Sequence, residues 1–157
     1  MNGTKRIWRI LYCLTAKWLP VSYRMRAAKQ IRGWFARKIM KNAGANINIE
    51  RGASFTEGVS LGNNSGLGIN CHIQEGNVSI GNNVLMGSDV LIYTTNHETA
   101  RIDIPICLQG NTKPQDVVIE DDVWIGARVI ILPGVTVKRG SVVGGVLSLQ
   151  KPSLSIL

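Results

Sequence analysis

His72 and His97 are the only side chains in this sequence whose ordinary titration falls near neutral pH. His97 lies in TTNHETARIDIPICLQGNTKPQ, residues 94–115, a stretch without regular periodicity. Long excursions of this kind from a compact fold are usually functional, so His97 is the first candidate for proton chemistry. The plainer reading is a solvent-exposed loop histidine. His72 stands beside Cys71 at a corner of the repeat described next, which suits a satisfied surface histidine. Cys13, Cys71 and Cys107 form no CxxC or His/Cys ligand spacing, so they read as reduced thiols and no metal is expected.

The segments on either side of the loop must position it, and they are a repeat. Every sixth residue is large and apolar: Ile49, Phe55, Leu61, Leu67 and Ile73, then after one extra residue Ile80, Met86 and Ile92. Beyond the loop the series resumes with Ile119, Ile125, Ile131, Val137 and Val143. Four residues after most of these stands a small or β-branched side chain, such as Ala53, Val59, Ser65, Cys71 or Val129. Gly and Asn supply the corners in LGNN, IGNN and IGAR. Neither a helix nor a flat hairpin sheet has a period of six. A coil with three short sides does, each large residue pointing inward and stacking on its counterparts in the coils above and below. These aliphatic positions are therefore core, and the fold class is mainly β.

Residues 1–45 differ in kind. From Met1 to Ile49 there are eleven Lys or Arg and no Asp or Glu, while the rest of the chain holds the other seven basic residues and all ten acidic ones. Apolar and cationic residues alternate in IWRILYCL and IRGWFARKIM, which predicts amphipathic helices from about Lys5 to Lys41. Arg9, Lys17 and Pro20 interrupt every run long enough to span a bilayer, and Arg9 also argues against a secretory signal. The expectation is a cytoplasmic protein. Two readings of the arm stay open: peripheral contact with the inner membrane leaflet through cations and indoles, or packing across the mouth of the repeat domain. The repeat domain offers no matching basic face, so nucleic acid is not an expected partner.

With IGNNVLMGSDVLIYTTNHE, RIDIPICLQG and VVIEDDVWIGARVIILPGVTVKRGSVVG, the sequence resembles the hexapeptide-repeat acyltransferases from about Ile47 to Gly145. It is most similar to the branch holding maltose and galactoside O-acetyltransferases and capsular or exopolysaccharide O-acetyltransferases. The resemblance implies a left-handed parallel β-helix, a triangular prism occupying residues 46–157. It also implies a homotrimer with active sites between subunits, and acetyl-CoA as acetyl donor. His97 matches the family's general base, and Ala127 and Gly145 match two backbone contacts to the coenzyme. Gly126 shares that contact, and Trp124 is read either as a groove wall or as edge packing. Arg128 is read as a phosphate contact or a solvated cation, and Asp121 and Asp122 as solvated corner residues.

The acceptor implied is a saccharide or lipid-linked glycan. Ser54 stands where the sugar enzymes carry an acidic residue and Gly68 where they carry an asparagine near the acetyl group, which leaves Asn70 and Asn96 as acceptor-binding candidates. Residues 146–157, in GGVLSLQKPSLSIL, depart from the family's Ser-Val-Val-Thr-Lys continuation, which one choice of codons for Val146 to Ser153 restores on a one-base shift of the reading frame. A frameshifted tail lacking the coenzyme site's upper coil is therefore expected there. Two alternatives remain beside a polysaccharide O-acetyltransferase: a serine or amino-sugar acyltransferase on the same scaffold, and an inactive trimeric pseudoenzyme.

Overall fold

Inward-pointing apolar residues at six-residue spacing wind the backbone into a three-sided left-handed parallel β-helix of five coils, seen in a computed structural model that describes residues 3–150. The first face stacks Asn42–Ala43, Val59–Leu61, Val78–Ile80, Val117–Ile119 and Thr136–Val137 in parallel. The second stacks Asn48–Ile49, Gly66–Leu67, Leu85–Met86, Trp124–Ile125 and Val142–Val143. Gly66 N–H donates to the Val84 carbonyl (3.1 Å), which ties its two lower rungs to the three upper ones. The third face stacks His72–Ile73, Leu91–Ile92, Ile130–Ile131 and Ser148–Leu149. All thirteen apolar residues of the six-residue series are buried. Ser65 brings a hydroxyl into this core and satisfies it, donating to Gly81 O (2.7 Å) and accepting from Val84 N–H (3.0 Å).

Corners demand left-handed backbone, and Asn or Asp accepts it more readily than most residues. Asn64, Asn83 and Asp122 take positive φ between the first and second faces. Asn70, Asp89, Arg128 and Val146 do so between the second and third. Asp121 is engaged rather than solvated, since its carboxylate accepts the Asn82 backbone N–H (2.6 Å) and the Asn82 side-chain amide (3.2 Å).

The arm folds as helix α1 (Gly3–Leu14), a 3-10 turn at Ala16–Trp18, and helix α2 (Arg26–Ile39). Ala28, Arg32, Gly33, Ala36 and Ile39 form the buried face of α2, and Ala36 and Ile39 join the core that runs up the prism. An aromatic cluster of Trp8, Tyr12, Trp34, Phe35 and Phe55 joins both helices to the lowest coil. Tyr12 donates its hydroxyl to the Ala53 carbonyl (2.8 Å), and burial pushes that phenol well above its usual range. The arm thus caps the open lower end of the prism, which would otherwise expose the apolar edge of its last coil. Its first rung, Asn42–Ala43, already pairs with Ser60 and Leu61.

Arg32 locks the cap. The guanidinium is fully buried and donates to Ile49 O (2.5 Å), Leu19 O (3.1 Å), Pro20 O (3.0 Å) and Ser22 Oγ (3.0 Å). Glu50 lies 3.6 Å away as counter-charge. Burial pushes the Glu50 carboxyl up, but the Ser22 N–H, the Asn48 amide and Arg32 outweigh it and hold the group below its ordinary value. Burial also lowers the Arg32 pKa, partly offset by Glu50.

At the other end, the segment that departs from the family continuation winds onward as coil through Gln150. Ser148–Leu149 pairs in parallel with Ile130–Ile131, and Val146 N–H donates to Ala127 O (2.9 Å). Residues 151–157, which hold the rest of that tail, lie outside the described residues.

Candidate active site

The His97 loop leaves the prism from the edge between the third and first faces. Its departure is fixed by Gln74 one coil below, whose Oε1 accepts from Thr94 N–H, Thr95 N–H and Thr95 Oγ1, each at 3.1 Å. The buried Thr94 hydroxyl donates to the Glu75 carbonyl. A Cβ on Gly76 (φ +136°) would lie 2.4 Å from that hydroxyl, so glycine is required under the root of the loop. Outgoing and returning strands then pair: Gln115 N–H to Thr94 O (2.7 Å), Thr112 N–H to Asn96 O (2.8 Å), and Glu98 N–H to Gly110 O (3.0 Å). Gln109 braces the tip by donating to Arg101 O (2.7 Å) and Ile104 O (3.1 Å) and accepting from Arg101 N–H (3.0 Å).

His97 therefore sits on an ordered hairpin, opposite Asn111, and is exposed. Its backbone N–H donates to Asn96 Oδ1 (3.0 Å), which commits the Asn96 oxygen to the local turn. Its imidazole makes no hydrogen bond among the described residues. The base of the hairpin opens on a cleft of about 470 Å³ lined by Gln74, Glu75, Gly76, Thr95, Asn111 and Pro114. Through Glu75 and Gly76 this cleft adjoins another, of about 570 Å³, that reaches Lys5, Arg9, Lys41 and Thr56. None of Gln74, Gly76 or Gln109 stood out in the sequence, because their roles lie in contacts to the loop rather than in residue type.

Ala127 and Gly145 lie on a different edge, between the second and third faces, in adjacent coils. Neither backbone N–H donates to any acceptor among the described residues, and the equivalent amides of Ile69 and Ser88 below them are also free. At the same positions of the first-to-second edge the three amides below Asp121 are capped by side chains, while Asp121 N–H itself donates to no acceptor among the described residues. Ala45 N–H donates to Asn63 Oδ1 (2.8 Å), Asn63 N–H to Asn82 Oδ1 (2.8 Å), and Asn82 N–H to Asp121 Oδ1 (2.6 Å). One edge is thus sealed up to Asp121 by an Asn/Asp ladder, and another presents a column of open donors in all four coils from Ile69 to Gly145.

Small residues keep that column accessible. A Cβ on Gly126 would stand 2.6 Å from Gly145 N, and one on Gly87 2.6 Å from Ala127 N. Trp124 is exposed on the outer surface of the second face, directly between Leu85 and Val142, so the ring forms part of an outward apolar strip. Asn70 is held in its corner, donating through Nδ2 to Asp89 Oδ1 (3.0 Å). A Cβ on Gly68 would fall 1.8 Å from the Gly87 carbonyl oxygen, so this corner has no room for a side chain. Within one chain His97 and the Ala127–Gly145 column thus occupy different edges of the prism.

The fold agrees with what comparison with known proteins returns. Residues 116–145 match the family model described as bacterial transferase hexapeptide (six repeats). Over this segment the chain is similar to the hexapeptide-repeat transferases. The chain is 35% identical over 72 residues to the galactoside O-acetyltransferase of Lactococcus lactis subsp. lactis (strain IL1403), covering 46% of this chain and 33% of the relative. It is 30% identical over 111 residues to the galactoside O-acetyltransferase of Escherichia coli (strain K12), covering 69% of this chain and 53% of that protein. The chain thus spans about a third to a half of the curated relatives it matches. Among solved structures, a maltose O-acetyltransferase from Clostridium difficile 630 superposes with a TM-score of 0.71 at 26% identity, over 94% of this hexapeptide-repeat chain and 76% of that one.

Proposed function

We propose that this hexapeptide-repeat protein is an acetyl-CoA-dependent O-acetyltransferase that acetylates a saccharide hydroxyl, in free or lipid-linked glycan, during surface polysaccharide synthesis. The single observation that carries the reading is the contrast between edges: amides capped by side chains along one, amides left open for a ligand along another. An extended pantetheine arm carries amide and carbonyl acceptors along its length, and a column of N–H groups parallel to the prism axis suits it.

The histidine that would act on such a ligand lies on another edge of the same chain, which supports a site assembled from two copies. Each chain also exposes two separate apolar patches, Ile102, Ile106 and Leu108 on the loop and Leu85, Trp124 and Val142 on the second face. Two unlike patches on one chain favour a head-to-tail contact, which closes into a ring when its rotation permits, and the proposed ring is a homotrimer. In that arrangement His97 of one copy faces Ala127 and Gly145 of the next.

The chemistry follows from that juxtaposition. An acceptor hydroxyl oxygen attacks the thioester carbonyl carbon while His97 takes the hydroxyl proton. The carbonyl electron pair moves onto oxygen, where a backbone N–H from the open column holds it. Collapse of the tetrahedral intermediate breaks the carbon–sulfur bond, and the leaving thiolate takes the proton back from the imidazolium. Acetyl ester and free coenzyme A result, with no net proton change.

Release of free thiol from acetyl-CoA, followed with galactoside, maltose and polysaccharide acceptors, tests the reading. His97→Asn is expected to lower kcat by about 10²- to 10⁴-fold, the usual share of a general base. The exposed imidazole makes no hydrogen bond among the described residues, so the thermal midpoint should not move. Full turnover by that variant, or no acetyl-CoA binding by the wild type, overturns the proposal.

A further inference from the structure

We propose that the outward face of α1 is a docking surface for an anionic lipid bilayer. On this helix Trp8 and Tyr12 turn inward to the aromatic cluster that caps the prism. The opposite side carries Ile7, Ile10, Leu11 and Leu14, the i, i+3, i+4, i+7 spacing that puts four side chains on one stripe. All four are exposed, Ile7 at 59% and Leu14 at 73%, and Trp18, beyond the helix end, is exposed as well. A helix that is apolar on its outer face as well as its inner one belongs in a second apolar environment.

Charge identifies that environment. The segment up to Ile49 carries eleven Lys or Arg and no Asp or Glu. Around the stripe, Arg6 is exposed and Lys17 sits over the Trp18 ring at 5.3 Å. Two copies meeting through this face would bring two uniformly basic segments together, and the repulsion opposes self-association there. An anionic bilayer offers the complement to both features, acyl chains for the aliphatic stripe and head-group phosphates for the flanking cations, with an indole at the boundary. No helix among the described residues is long and apolar enough to cross a membrane, so the contact is along the surface.

The proposal is independent of the acetyltransferase reading and is tested apart from it. Full-length protein is co-sedimented with vesicles of phosphatidylcholine alone and with vesicles that also contain phosphatidylglycerol, at low and at high salt. Binding to the anionic vesicles that weakens with salt is expected, with little binding to the neutral ones. The variant Ile7→Ser/Leu14→Ser removes two outward anchors and is expected to lose about tenfold or more in vesicle affinity. Its unfolding midpoint, oligomeric mass and turnover of a soluble acceptor should match the wild type. Equal vesicle binding by wild type and variant, or failure of the wild type to bind anionic vesicles at low salt, overturns the proposal. So does a change in oligomeric mass in the variant, which would make the stripe a contact between copies.

Discussion

Replacing Arg32 by methionine keeps most of the side-chain volume and removes only the guanidinium, so the loss it causes is polar. The four hydrogen bonds at 2.5–3.1 Å disappear together, leaving the carbonyls of Ile49, Leu19 and Pro20 without this donor and Glu50 without its counter-charge. An unsatisfied buried acceptor costs about 1–3 kcal/mol, and removing one member of a buried ion pair costs about 3–5 kcal/mol. The contributions overlap, and Glu50 keeps its bonds from Ser22 and Asn48, so a total of about 3–5 kcal/mol is expected. Set against a typical domain stability of about 5–15 kcal/mol, that is a large fraction. Urea unfolding followed by tryptophan fluorescence is the assay, since Trp8 and Trp34 pack edge-to-face at 5.1 Å within the arm that Arg32 anchors. Arg32→Lys should recover little, because one ammonium does not span acceptors arranged for a planar fork. A loss below about 1 kcal/mol in the methionine variant, the range of surface substitutions, would refute the view that this cation locks the cap.

The pH dependence of the cap follows from Glu50. Its folded pKa is depressed, so its contribution is complete above the unfolded carboxylate value of about 4.3 and is lost as pH falls through the folded value. Stability should therefore drop on acidification through the carboxylate range, and Glu50→Gln should flatten that part of a urea-midpoint profile; an unchanged slope would contradict the assignment. At the upper end, Val146 holds φ +59° at a corner where the coils below use Asn70, Asp89 and Arg128. A β-branched residue pays about 1–2 kcal/mol there, so Val146→Asn is expected to raise stability by ~1 kcal/mol, readable as a higher denaturant midpoint.

The series from Ile49 to Val143 determined the coil, because a six-residue period has one compact solution and every member of the series is buried. The loop that carries His97 was legible for the same reason: it is where the period stops. Tertiary structure decided what residue types do not encode. Backbone amides are chemically alike along the chain, so the open column at Ala127 and Gly145, and its sealed counterpart at Asn63 and Asn82, exist only once the edges are stacked. Arg32 reads as one more cation in a basic arm, yet packing removes it from water entirely and gives it carbonyls from distant parts of the chain. Ile7 and Tyr12 are both apolar in helical register, and the prism beneath α1 decides that one faces the core and the other solvent. Periodicity sets which side chains share a face; what that face meets depends on where the rest of the chain comes to lie.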